Sequence, residues 1–435
     1  MNIEKTEQLR KNAPAPNQSR NLSDRTRPAI TVAGIALGLA VGFAPIYFAT
    51  ISVFLKPISQ EFGWGRGQAS LGGVISMLGL AFSSLAVGRL IDRYGAMRVI
   101  VISITLMSLG IAAQSRTGNS FQLFMCLSLF IGIAGAATNP PGYMTILARI
   151  FDGRLGLALG LAGAGMGIGM IVTPMAAQSL ISEFGWRNAY LILSISSLVI
   201  GLLACTVISR LGVSHEPISP SSRPVDVGQP TPSGRDAAIN PSLVWRISLM
   251  VLLVSVATIG VSIHMVSILL DSGWSPSEAA SVASFSGVGV LLGRIVSGFL
   301  IDRFQAGKVA SIFFLAAASS VAVLAMDFSS AAIMFYGAGA LIGFSMGAEG
   351  DFLPFFIRRY FDLRSFGTLF GSLFFFHSIG GVVGPYLFGL GFDTWHSYTL
   401  SLWFAAGALF LAAILAVSLG PYRDSSIVSA EAKTL

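Results

Sequence analysis

Charged residues punctuate this chain at intervals that leave apolar runs long enough to cross a bilayer, which takes about 20 residues in a helix. Charge-free runs extend from Pro28 to Leu55, Gly67 to Gly88, Val99 to Ser115, Thr117 to Ala148, Leu155 to Ser182 and Asn188 to Ser209. After a polar stretch the pattern resumes from Ile247 to Leu270, Ala279 to Ile301, Val309 to Met326, Phe328 to about Phe356, Ser365 to Phe392 and Thr394 to Tyr422. Only Arg294, in the eighth run, and Glu349 and Asp351, in the tenth, interrupt this second set. The pattern predicts an all-α integral membrane protein with twelve transmembrane helices.

The stretch from Leu211 to Leu243 holds six prolines and several serines and has no apolar periodicity, as expected of a linker. It divides the chain into a tail (1–28), a six-helix bundle (29–210), the linker (211–243), a second six-helix bundle (244–422) and a C-terminal tail (423–435). The two bundles are copies. At an offset of 210 residues, Gly63-Trp64 falls on Gly273-Trp274, and Gly88-Arg89-Leu90-Ile91-Asp92-Arg93 falls on Gly298-Phe299-Leu300-Ile301-Asp302-Arg303. Arg149-Ile150-Phe151-Asp152 likewise falls on Arg359-Tyr360-Phe361-Asp362, and one inserted residue then aligns Pro174 with Pro385. Agreement over separated motifs implies a parallel six-plus-six repeat, with a substrate site between the halves.

Charge sets the expected orientation. The two tails, the linker and the loops on their side carry 22 Lys and Arg, whereas the opposite side carries four: Lys56, Arg66, Arg116 and Arg187. Both termini are therefore expected in the cytoplasm, with the protein in the cell membrane, cytoplasmic or inner. Residues 1–28 are too polar for a cleaved signal peptide, and the first apolar run is too long for a signal core. Composition agrees: 54% of residues are hydrophobic and 11% charged, with a mean hydropathy of +0.75, against about 25% charged in a soluble domain. The net charge of +7 sits between spans, so nucleic acid is not an expected partner. Cys126 and Cys205 lie inside spans and read as packing residues.

The segment Gly88-Arg89-Leu90-Ile91-Asp92-Arg93-Tyr94-Gly95-Ala96-Met97-Arg98 resembles the loop signature of the major facilitator superfamily between its second and third helices. The resemblance covers about Thr31 to Gly420. Phe62-Gly63-Trp64 with Arg66, Asn139-Pro140-Pro141, Gly347-Ala348-Glu349-Gly350-Asp351 and Arg359-Tyr360-Phe361 are similar to bacterial monocarboxylate transporters and oxalate/formate exchangers. The resemblance implies the major facilitator fold and rocker-switch alternating access. It implies a cavity lined by the first, fourth, seventh and tenth helices. It also implies that the Asp of the loop signature caps the eleventh helix of the opposite half. Asp92, Arg93 and their copies Asp302 and Arg303 are then gate residues. The alternative is that they only anchor the topology.

Arg294 is the one permanently charged side chain in mid-span. Its copy position is Ser84, so the repeat does not account for it. It stands about 10 Å from Ile301 at one end of its run and about 22 Å from Ala279 at the other. Holding a guanidinium there costs at least ~2.5 to 3.5 kcal/mol, so it needs an anion. Either that anion is the cargo, met by the planar guanidinium fork, or it is Glu349 or Asp351 in a structural ion pair. The family places an anion-binding arginine on this helix. Some animal monocarboxylate transporters carry an Asp four residues earlier, where this chain has Val290, so a proton relay through that position is missing.

His264, His377 and Glu349 are candidates to carry a co-transported proton, since an imidazole titrates in the physiological range. Hydrogen-bonded helix packing is the alternative for each histidine. Oxalate-type exchangers use a lysine on the eleventh helix, where this chain has Phe374-Phe375-Phe376-His377-Ser378, so a single fixed positive charge suits a monocarboxylate better than a dianion. Glu349 and Asp351 are also gate candidates with Arg358, Arg359 or Arg303. Tyr47, Asn139 and Tyr336 sit on helices expected to line the cavity and are candidate substrate contacts, or else interhelical hydrogen bonds.

No enzyme chemistry is indicated. There is no Gly-Lys-Ser phosphate loop, no metal-spaced histidine and cysteine cluster and no expected cofactor. The fifth run lacks the Gly-Pro pair of the drug-exporter antiport signature, which counts against drug efflux. The function expected is secondary active transport of a small organic anion: proton-coupled monocarboxylate symport, with organic anion exchange as the alternative and a transporter-like receptor as a rival of another class. The expected partners are the anion, the proton and the lipid bilayer, and the expected state is a monomer.

Overall fold

The computed structural model describes residues 22–64, 66–151, 154–211, 241–326, 332–361 and 365–420. The tails and linker expected from the sequence lie largely outside these residues. Eleven helices among the described residues are long and apolar enough to cross a membrane. One of them, Leu155–Arg210, contains Gly185 at φ 76° and ψ 162°, where two helices join. It supplies both the fifth and the sixth spans, so the chain makes twelve passes. The helix of the first span begins at Leu22, inside the expected tail, and that of the seventh at Pro241, inside the expected linker.

The repeat explains local turns. Gly63 ends the first span in the left-handed region at φ 69°, and its copy Gly273 stands at φ 85°. A side chain at either position would be strained, which accounts for glycine in both Gly-Trp pairs. After Gly273, Ser275 and Glu278 close a capping box around the start of the eighth span, Pro276–Ile301.

The first and fourth spans break at one level. In the first, Leu22–Ala40 gives way to a wide turn at Ala44–Phe48 that contains Pro45. In the fourth, Phe121–Gly135 runs through Ala136–Thr138, and the helix restarts at Pro140 after an extended Asn139. A residue before proline is driven out of the helical region, and proline suits a first helical turn. The breaks are stapled by the Phe43 N–H donating to Thr138 Oγ1 at 2.9 Å. Phe43, Phe48, Asn139 and Pro140 thereby turn to the space between the bundles.

The halves meet along two equivalent helix pairs, the second span, Arg66–Tyr94, with the eleventh, Phe366–Trp395, and the fifth with the eighth. A Cβ at Gly88 would overlap the carbonyl oxygen of Gly367, and one at its copy Gly298 the carbonyl of Gly156. One turn along, a Cβ at Gly371 would overlap the Ser84 carbonyl, and one at Gly160 the Arg294 carbonyl. Gly88 and Gly298, or Ser84 and Arg294, differ by 210, and Gly156 and Gly367, or Gly160 and Gly371, by 211. The internal duplication of the sequence is thus written into the interface, where small residues admit close backbone contact.

Candidate functional site

At the end of the molecule where the described chain begins and ends, two carboxylates bridge the halves. Asp92 accepts from the backbone N–H groups of Gly367 (2.9 Å) and Thr368 (2.7 Å) and from the Thr368 hydroxyl (2.7 Å). Asp302 accepts from the N–H groups of Gly156 (2.7 Å) and Leu157 (2.9 Å). Each carboxylate occupies the start of a helix from the other half, where free N–H groups and the helix dipole favour an anion. Asp92 also pairs with Arg149 at 3.4 Å. Arg93 and Arg303 are exposed and lie over the rings of Tyr94 and Phe299 in their own halves. Arg359 lies over Phe355, and its neighbour Arg358 reaches across to the carbonyl of Ala148 at 3.0 Å.

Between the halves lies a cavity of about 180 Å³. The N-terminal half supplies an apolar wall that includes Phe43, Phe48, Met77, Leu80, Met166 and Met170, with Asn139 as its polar member. The C-terminal half brings Arg294, Glu349, His377 and Ser378. All the ionisable groups described on the lining therefore belong to one half.

Arg294 is 5% exposed. Its Nη1 lies 3.3 Å from Asp351 Oδ1, and the hydroxyl of Ser297, one turn along, donates to Asp351 Oδ2 at 3.3 Å. Asp351 is fully buried. The structure sets it beside Arg294 in the middle of the helices and not among the gate contacts with Arg358, Arg359 or Arg303. The guanidinium fits because Gly163 and Gly350 lack side chains: a Cβ at Gly163 would overlap Nη1, and one at Gly350 would stand 3.2 Å from it. The Arg294 Nε remains buried without a partner.

Glu349, also 5% exposed, forms a second cluster. Its Oε1 accepts from the Ser255 hydroxyl at 2.5 Å and lies 3.0 Å from His377 Nδ1, which is 2.7 Å from Ser255 Oγ. Glu349 Oε2 is buried without a partner. The seventh, tenth and eleventh spans thus converge on one carboxylate.

Other candidates stand elsewhere. His264 has its ring nitrogens 3.2 Å from the Tyr398 hydroxyl and 3.1 Å from the Pro385 carbonyl, and it stacks near Phe388. Tyr47 is buried within the N-terminal bundle, with its hydroxyl 3.0 Å from both Gln114 Oε1 and Ser128 Oγ. Tyr336 packs against Trp274 and Phe285. Asn139 does line the cavity, with its amide donating to the Gly135 carbonyl at 3.2 Å. Sequence reading missed Ser255 and Ser297, since a serine in an apolar helix carries no signal of its own. Arg149 lies in a repeated motif whose spacing does not point to Asp92.

The family model described as Major Facilitator Superfamily matches residues 37–270 and 247–434. The chain belongs to that superfamily: it is a multi-pass membrane transporter of a small molecule and not an enzyme. It is 27% identical to Monocarboxylate transporter 13 of Bos taurus over 382 residues, which is 87% of this chain and 84% of that protein. It is 25% identical to the 4-hydroxybenzoate transporter PcaK of Pseudomonas aeruginosa over 411 residues, 86% of this chain and 89% of that protein. Among solved structures it resembles the major facilitator transporter FucP in its outward conformation, with a TM-score of 0.66 at 16% identity, covering 91% of this chain and 99% of that one.

Proposed function

We propose that this transporter is a proton-coupled symporter of small monocarboxylates that works by alternating access in the cell membrane, with both termini in the cytoplasm. The observation that carries the reading is that Arg294 and Glu349 line one cavity while each keeps a buried polar atom without a partner, the donor Arg294 Nε and Glu349 Oε2. Buried polar groups without partners are costly. Once a side-chain shift opens these atoms to the cavity, a carboxylate accepting from Arg294, with a proton on Glu349 donating to the same carboxylate, would satisfy both. His377 and Ser255, already on Oε1, hold the carboxyl in place and share its proton.

Charge balance favours symport over exchange. Asp351 already neutralises Arg294, so an entering anion adds one negative charge that Arg294 no longer offsets unless a proton enters too. Several relatives bear the names of monocarboxylate transporters and one that of a 4-hydroxybenzoate transporter, in line with a carboxylate as cargo. Asp92 and Asp302 serve as gates. They join the halves through carboxylate-to-helix hydrogen bonds that water can replace when the bundles tilt apart. Uptake of a labelled monocarboxylate into proteoliposomes tests the reading. One pH unit supplies about 1.4 kcal/mol, or tenfold accumulation. Accumulation under an imposed inward proton gradient is expected. Exchange against internal anion with no response to the gradient would replace symport by antiport.

A further inference from the structure

We infer that the cargo is a monocarboxylate with one apolar body, an aromatic ring or a branched alkyl group of similar bulk. Short hydroxy acids and dicarboxylates are excluded as preferred cargo. The inference rests on the reading of the cavity as a carboxylate site and names the part of the substrate that this reading leaves open.

The argument comes from how the cavity divides its polarity. Arg294, Glu349 and His377 all belong to the C-terminal half, so the charged head of a ligand is held there. Opposite them the N-terminal half presents Phe43, Met166 and Met170. Its polar member, Asn139, spends one amide N–H on the Gly135 carbonyl. A hydroxyl directed at this wall away from Asn139 would lose water without finding a side-chain partner among these residues, and a second carboxylate would meet no cation there. The size of the space points the same way. An apolar cavity of about 150 Å³ holds one benzene molecule, and here about 180 Å³ is available, enough for a ring and its carboxylate. A shorter acid bound at Arg294 would leave the far wall uncovered. Methionines at that wall adapt their unbranched side chains to ring faces and edges. A cargo of this shape touches one half with its head and the other with its body, so it spans the interface that must tilt during transport.

The test is a binding and uptake series on the full chain in proteoliposomes with phenylacetate, 4-methylvalerate, lactate and succinate. Phenylacetate and 4-methylvalerate are expected to bind at least about tenfold more tightly than lactate, the scale on which a pocket senses apolar bulk. Succinate is expected not to compete. The near-isosteric Met166→Gln should lower the phenylacetate-to-lactate affinity ratio by about tenfold. Lactate or succinate binding as tightly as phenylacetate in wild type would overturn the inference while leaving the carboxylate reading intact. Binding of none of the four would remove both. The wild-type series decides the matter even if the variant does not fold.

Discussion

Arg294 and Asp351, on the eighth and tenth spans, form an ion pair at 3.3 Å with both side chains buried. This pair changes what a substitution at Arg294 should do. Removing one member of a buried pair strands the other and costs about 3–5 kcal/mol. Arg294→Ala should therefore lose transport and also lower thermal stability, whereas Arg294→Ala combined with Asp351→Asn should recover stability without recovering transport. Thermal unfolding followed by size-exclusion monodispersity, alongside anion uptake, separates the two effects. Arg294→Lys keeps the charge and loses the planar fork, so it should recover little transport. Saturable uptake of wild-type affinity in the double variant would remove Arg294 from the substrate site.

The cluster of Glu349, His377 and Ser255 makes a second prediction. Glu349→Gln and His377→Gln should lose accumulation driven by a pH gradient and keep anion counterflow, because they remove a titratable group without emptying the cavity. His264→Gln should keep gradient-driven accumulation, since His264 bonds Tyr398 and the Pro385 carbonyl. Paired measurements of uptake and counterflow at fixed protein load check this. Full coupling in both Glu349→Gln and His377→Gln would exclude the cluster as the proton carrier.

Asp92 and Asp302 cap helices of opposite halves in equivalent ways. Asp92→Asn and Asp302→Asn should each weaken closure at that end, and the double variant more than either alone. Asp92→Asn should have the larger effect, because it also breaks the pair with Arg149. Spin-label distances across the gated end, measured in a background without Cys126 and Cys205, should lengthen or broaden. Unchanged distributions in the double variant would leave these residues as topological anchors only.

The charge asymmetry predicts topology. Reporters fused after Leu435 or inserted near Ser233 should read as cytoplasmic, and one near Asn119 as external. An external signal from either of the first two would overturn the proposed orientation.

The twelve passes and the duplication were legible in the chain because each depends on local or repeated features, whereas the place of Asp92 at a helix start of the other half was implied only by the resemblance to the superfamily. Apolar run length sets a span, glycine sets the turns at Gly63 and Gly273, and one offset links the two halves. Arg294 was equally conspicuous, since a charge in mid-span has few local explanations. Which anion answers it was a matter of tertiary structure. Asp351 and Glu349 are two residues apart on one helix, yet the first turns to Arg294 and Ser297 and the second to Ser255 and His377. That split depends on which neighbouring helix faces each carboxylate, and on Gly163 and Gly350 leaving room for the guanidinium. Neither fact is encoded by spacing along the chain. For the same reason Tyr47, Tyr336 and His264, polar residues on helices expected to line the cavity, were separated from it only by packing. A helix presents several faces, and only the arrangement of its neighbours decides which one meets the cavity.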